Sequence, residues 1–233
     1  MAPLYRVHNL GLQISRPQSC PLFTRVRQEF QAHQEAIAGV PPRRPVRPQL
    51  YLASRSPRRQ ELLRQVGLRF EPVAADVGER RSPGQSPADY AVAMALAKAR
   101  AGRGAEPCPV LGADTDVVID GRILGKPGDR SQALAMLRQL AGRTHEVYSG
   151  VAVVQDGRAE TALSVTRVSF GPITEAQAQA YWDTAEPAGK AGAYAIQGYG
   201  AQFVKEIHGS YSGVVGLPLY ETAQLLERIG HPA

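Results

Sequence analysis

The sequence is short of cysteine, of clustered histidine and of long apolar runs, and each shortage closes off a class of protein. Cys20 and Cys108 stand far apart and form no C-x-x-C pair, so neither a disulfide framework nor a cysteine-type zinc site is expected. The histidines, His145 and His208 among them, show no metal-ligand spacing and read as surface or turn residues. No apolar run approaches the roughly 18 residues of a membrane span, and the start has no apolar stretch of the secretory kind. A cytoplasmic protein with no membrane partner is the expectation. No Ser-His-Asp arrangement or G-x-S-x-G elbow is present either, which argues against serine-hydrolase chemistry.

Acidic residues are scarce at one end only. Residues 1–50 hold Arg6, Arg16, Arg25, Arg27, Arg43, Arg44 and Arg47 against Glu29 and Glu35, so that segment carries +5 of the chain's formal +6. The remainder is nearly neutral, and nucleic acid is therefore not expected as a partner, because a dedicated binder carries its basic stripe on the folded domain. The first 49 residues also lack periodic apolar positions and end in GVPPRRPVRPQ, which favours extended backbone. Residues 1–49 read as a basic, poorly ordered extension, dispensable in preference to an organelle transit peptide. With 233 residues, 43% of them hydrophobic, the chain can still bury a proper core, as one domain or two small lobes.

From Leu50 onward strand and helix signals alternate. Leu50–Ala53 is a short apolar strand leading into a helix with Ser56 as N-cap, Pro57 at its first position, Leu62, Leu63 and Val66 on one face and Gly67 at its stop. Phe70–Ala74 is a second extended run. SPADYAVAMALAKAR starts a helix at Ser86, and Val110–Ile119 is an apolar strand closed by the hairpin signal Asp120-Gly121. A helix follows from the N-cap Asp129 to the stop Gly142. Thr144–Val154 and Glu160–Phe170 are strands joined by a second hairpin signal, Asp156-Gly157. A helix over residues 174–184, a glycine-rich segment and a closing helix from about Leu217 to Ile229 complete an α/β pattern with a mixed sheet.

Arg58 and Arg59 occupy a first helical turn, where the helix dipole and free N–H groups are already positive. They either bend into solvent or pair with Glu61, or else await a multiply charged anion. Asp114 breaks an apolar strand; it either caps a turn, with Asp116 on a solvated face, or does chemistry. GRILGKP is not a phosphate loop of the G-x-x-x-x-G-K-[ST] kind, since Gly121 and Gly125 are one residue too close. Taken together, the turn at Ser56 with Arg58 and Arg59, the carboxylates Glu79 and Asp114, and Lys98 and Lys126 suggest a metal-dependent site for nucleotide phosphates.

At these residues the chain resembles the Maf-like nucleotide pyrophosphatases, also described as septum formation inhibitors, from about Leu50 to Leu226. The resemblance rests on L-A-S-x-S-P-R-R-x-E-L-L (Leu52 to Leu63), Glu79, A-x-x-K-A (Ala95 to Ala99), G-A-D-T (Gly112 to Thr115), G-K-P (Gly125 to Pro127), K-A-G-A-Y-x-I-Q-G (Lys190 to Gly198) and V-G-L-P (Val215 to Pro218). It implies an elongated mixed sheet with flanking helices, two lobes around a cleft over residues 50–230, kinship with the inosine triphosphate pyrophosphatases, and a homodimer. It also implies cleavage of a nucleoside triphosphate between its α- and β-phosphates. Arg58, Thr115 and Gln197 match the subgroup acting on dTTP and UTP, not the sister subgroup that prefers 7-methyl-GTP.

On that resemblance Asp114 is the expected general base, and Glu79 with Asp114 the expected holders of magnesium or manganese. Ser56, Arg59, Lys98 and Lys126 are expected to grip the triphosphate; Arg58, Thr115 and Gln197 are expected to set specificity, Gln197 facing the pyrimidine edge. Arg55 stands where the family usually has a small residue, and Gly78 where an acidic neighbour is common. Two other readings stand beside this one: a non-catalytic nucleotide-binding regulator of cell division, and a broad house-cleaning enzyme for non-standard nucleotides.

Overall fold

Among the described residues seven strands form one mixed sheet in the order β2-β1-β3-β5-β6-β7, with β4 paired to β3 off that path. The strands are β1 (Leu50–Leu52), β2 (Phe70–Pro72), β3 (Val110–Ile119), β4 (Arg122–Leu124), β5 (Thr144–Gln155), β6 (Arg158–Phe170) and β7 (Val204–His208). Helices α1 (Pro57–Gln65), α2 (Pro87–Ala101), α3 (Arg130–Leu140), α4 (Glu175–Asp183), α5 (Tyr211–Val215) and α6 (Leu219–Arg228) flank it. This computed structural model describes residues 47–78, 80–102 and 107–231. Of the expected extension, residues 1–46 lie outside the described residues, and so does Glu79.

Both hairpin signals act as expected. Asp120 and Gly121 adopt φ of 51° and 71°, and Asp156 and Gly157 adopt 48° and 82°, the paired positive values that match the twist of antiparallel strands. The second turn joins β5 and β6, which pair from Thr144↔Ser169 to Gln155↔Arg158. Short side-chain caps start α2, where Ser86 accepts from the Asp89 N–H, and α3, where Asp129 accepts from the Gln132 N–H.

The arrangement that matters for a site lies along one edge of β3. Its first residues pair in parallel with β1 (Tyr51↔Val110, Leu52↔Leu111), and its last pair antiparallel with β4 (Val117↔Leu124 to Ile119↔Arg122). Between Leu111 and Val117 no strand covers that edge among the described residues. The opening lies beyond the carboxyl end of β1, where a sheet changes strand direction and leaves a crevice.

Alternation along β3 sends Gly112, Asp114 and Asp116 to one face and Leu111, Ala113, Thr115 and Val117 to the other. Leu111, Ala113 and Val117 join the main apolar core with Leu63, Leu137, Val151 and Leu225. On the opposite face α2 lies almost in backbone contact with the sheet. A Cβ on Gly112 would stand 2.2 Å from the Ala95 carbonyl oxygen, and one on Gly150 would stand 2.3 Å from that of Ala91. The alanine-rich helix and the two glycines are therefore one packing device.

Three features depart from the sequence reading. The glycine-rich segment contains a strand, β7, paired antiparallel with β6. The closing helix forms where it was expected, as α6, but a short extra helix, α5, precedes it; Gly216 takes a φ of 138° that ends α5, and Pro218 starts α6. His145 is not a surface residue: it is 1% exposed, hydrogen-bonded with the Tyr194 hydroxyl at 2.9 Å and packed edge-on to Phe170 and Tyr194. Burial pushes its pKa down to about 4.

Candidate active site

A cavity of about 1080 Å³ opens at the uncovered stretch of β3. The turn after β1 forms one wall. Ser56 occupies the N-cap position, but its hydroxyl makes no capping bond; instead its N–H donates to the Ser54 hydroxyl at 3.2 Å. No acidic residue stands in the first turn of α1, so Ser56, Pro57, Arg58 and Arg59 line the cavity at the positive end of a helix.

The two arginines behave differently. The Arg59 fork is spread over three elements: Nε donates to the Gly216 carbonyl (2.7 Å), one amino group to the Ser54 hydroxyl (3.1 Å) and the other to the Thr115 hydroxyl (3.4 Å). It ties the turn after β1 to β3 and to the break between α5 and α6. Arg58 is half-buried; loss of hydration lowers its pKa, while the nearby Glu186 and Tyr181 pull it the other way. Arg55 lies at the rim and faces Asp76 at 3.6 Å, a pair too exposed to add much stability.

Asp114 forms the floor. It is buried to 9% exposure, and its Oδ1 accepts from the Lys98 ammonium at 2.6 Å. A carboxylate beside a core is costly without a partner, and α2 supplies one. The close approach of α2 at Gly112 and Gly150 is what brings Lys98 within reach. Thr115, one residue on, points to the other face, where its hydroxyl donates to the Gly216 carbonyl at 3.3 Å and accepts from Ser149 at 3.2 Å.

Lys126, after β4, and the exposed Gln197 line the far side of the same cavity. Thus Ser56, Arg58, Arg59, Lys98, Asp114, Thr115, Lys126 and Gln197 are brought together around one opening. Glu79 lies outside the described residues, although the preceding Asp76, Val77 and Gly78 line the cavity. A smaller cavity of about 590 Å³ adjoins it, shares Asp114, Thr115 and Lys126, and adds Asp116 and Arg122. Asp116 is buried at 8% exposure, not on a solvated face.

Two residues of the cavity wall, Glu186 and Lys190, and Tyr181 bonded behind Glu186, were given no role by the sequence reading. Glu186 accepts from the Tyr181 hydroxyl (2.6 Å) and from the N–H groups of Tyr199 (2.8 Å) and Gly200 (2.9 Å). Burial pushes its carboxyl up, but these donors and Lys190 outweigh it and leave the pKa below the usual carboxylate range. Tyr181 is raised by burial and by that carboxylate. Lys190 is lowered by burial and by Arg58. Lys190 falls within the quoted K-A-G-A-Y run. Glu186 carries no local signal, since its partners lie up to 14 residues away.

Several known proteins are similar to this chain in sequence. A dTTP/UTP pyrophosphatase of Aromatoleum aromaticum is 47% identical over 81% of this chain and 99% of its own length. One from Bordetella avium is 49% identical over 78% and 96%, and one from Xanthomonas axonopodis pv. citri is 51% identical over 78% and 98%. Among solved structures, a nucleoside-triphosphatase / dITP/XTP pyrophosphatase from Mycobacterium abscessus covers 53% of this chain and 75% of its own at 23% identity. The TM-score between the two is 0.35. The family model described as Maf-like protein matches residues 49–229, and with relatives of this similarity spanned almost end to end, the chain belongs to the Maf-like protein family.

Proposed function

We propose that this chain hydrolyses dTTP and UTP to the nucleoside monophosphate and pyrophosphate. The observation that carries the reading is Asp114, a buried carboxylate set at the uncovered edge of β3 and surrounded by Arg58, Lys98 and Lys126. The names of relatives about half identical in sequence support the substrate class. A cavity of about 1080 Å³ is also roomy enough for a nucleoside triphosphate, ligand sites commonly measuring roughly 300–1,000 Å³.

In this reading the triphosphate lies across the turn after β1, with its oxygens toward Ser56 and the start of α1 and toward Lys126. Lys98 is shared between Asp114 and the α-phosphate. Asp114 accepts a proton from water as that water attacks the α-phosphorus; the bond to the bridging oxygen breaks, and pyrophosphate departs with the released electron pair. Arg59 holds the turn in place through Gly216 and Thr115. Gln197 presents a donor and an acceptor to the pyrimidine edge.

Magnesium or manganese fits the donors that are present. Among the described residues no cluster of three acidic, histidine or cysteine ligands occurs, and magnesium typically takes one or two carboxylates and fills its remaining positions with water and phosphate oxygens. Asp114 would be one such ligand, and Glu79 the second. When bound, the ion offsets phosphate charge and polarises the α-phosphoryl group.

Pyrophosphate release from UTP, dTTP, CTP and 7-methyl-GTP with magnesium tests the reading. Turnover of UTP and dTTP ahead of the others supports it. Tight UTP binding without turnover would replace it with a nucleotide-binding regulator.

A further inference from the structure

The segment bearing Gln197 is fastened on both sides by a single pair of side chains, Tyr181 and Glu186. Upstream of Gln197, the Ala195 N–H donates to the Tyr181 hydroxyl at 3.1 Å. Downstream, the Tyr199 and Gly200 N–H groups donate to the two oxygens of Glu186 at 2.8 and 2.9 Å. The Tyr181 hydroxyl in turn donates to Glu186 at 2.6 Å and closes the bracket. Between these points Gly198 donates to the Ala195 carbonyl, so the backbone around Gln197 is a tight turn. Gly198 belongs to the same device: a Cβ there would stand 1.9 Å from the Glu186 carboxylate. Glu186 also attracts Arg58, another of the residues expected to set specificity.

Resting on the function proposed above, we infer that Glu186, through Tyr181, is a positioning residue for base selection. It fixes where the Gln197 amide stands relative to the pyrimidine edge. An amide can turn to satisfy either uracil or cytosine, since it carries both a donor and an acceptor. Discrimination therefore needs the amide to be held, and the bracket holds its backbone. Glutamine in place of Glu186 sets an NH₂ group against backbone N–H donors and breaks the bracket without changing its size.

The test is a double-substitution cycle read as the ratio of kcat/KM for UTP to that for CTP. Glu186→Gln is expected to lower this ratio about tenfold, the scale of a misplaced polar contact. Gln197→Ala should lower it similarly, and the double variant should fall no further than Gln197→Ala alone, because one residue acts through the other. Tyr181→Phe, which removes only the hydroxyl, should lower the ratio in the same direction and carries the test if Glu186→Gln does not fold. An equal loss for both nucleotides, or a double variant that multiplies the single losses, overturns the inference and makes Glu186 merely structural. A wild-type protein that releases no pyrophosphate from UTP overturns the proposed function, and this inference with it.

Discussion

Asp114 and Lys98 are a buried pair whose members come from different elements, and removing one partner leaves the other charge uncompensated. Lys98→Met is expected to cost ~3–5 kcal/mol of stability by chemical denaturation. Asp114→Asn removes the proton acceptor while keeping size and an amide oxygen to accept from Lys98, and should lower kcat for UTP by at least ~100-fold with the fold intact. If the attack falls on the α-phosphorus, hydrolysis in ¹⁸O-water places the label in UMP and none in pyrophosphate.

His145 makes a prediction of its own. Its pKa of about 4 in the folded chain lies below the ordinary value of 6.5, so the unfolded chain binds more protons between those limits. Stability from this group is complete above about pH 6.5 and is lost as pH falls toward 4. Relative to His145→Phe, the wild type should lose about 2–3 kcal/mol between pH 7 and pH 4.5, measured by denaturant unfolding at each pH. This residue also shows where sequence reading stops. A lone histidine has no local mark of burial, and only the fold brings Phe170 and Tyr194 against it.

At the scale of elements, much was legible because the signals are local. Asp-Gly turns, the caps Ser86 and Asp129 and the long alternations of β5 and β6 each depend on residues close together in sequence. β7 was not legible, since its five residues sit among glycines and owe their extended form to pairing with β6. The uncovered edge of β3 was equally invisible: it comes from β1 stopping at Leu52 while β4 begins its pairing only at Val117. The approach of α2 to the sheet can be tested directly. A Cβ at Gly150 would lie 2.3 Å from the Ala91 carbonyl oxygen, so Gly150→Ala should cost ~1–3 kcal/mol and reduce turnover by moving Lys98 away from Asp114.

For the whole molecule, the family match begins at residue 49 and the relatives of about 50% identity are spanned by 78–81% of this chain. The contrast between an arginine-rich first segment and a nearly neutral remainder was plain in the sequence, and Arg47–Ala233 forms a compact unit of its own. A chain beginning at Arg47 should fold and should turn over UTP as fast as the full-length protein. Loss of turnover on truncation would give the first segment a part in the site. Among the described residues no helix is long and apolar enough to cross a membrane.

In the proposed reaction the cavity at the open edge of β3 cleaves a triphosphate with Asp114 as its base. Pyrophosphate release from UTP with magnesium, followed side by side for wild type and Asp114→Asn together with UTP affinity for each, tests it most directly. The wild type should release one pyrophosphate per UMP, and a variant that still binds UTP should release almost none. Undiminished release from Asp114→Asn would contradict it.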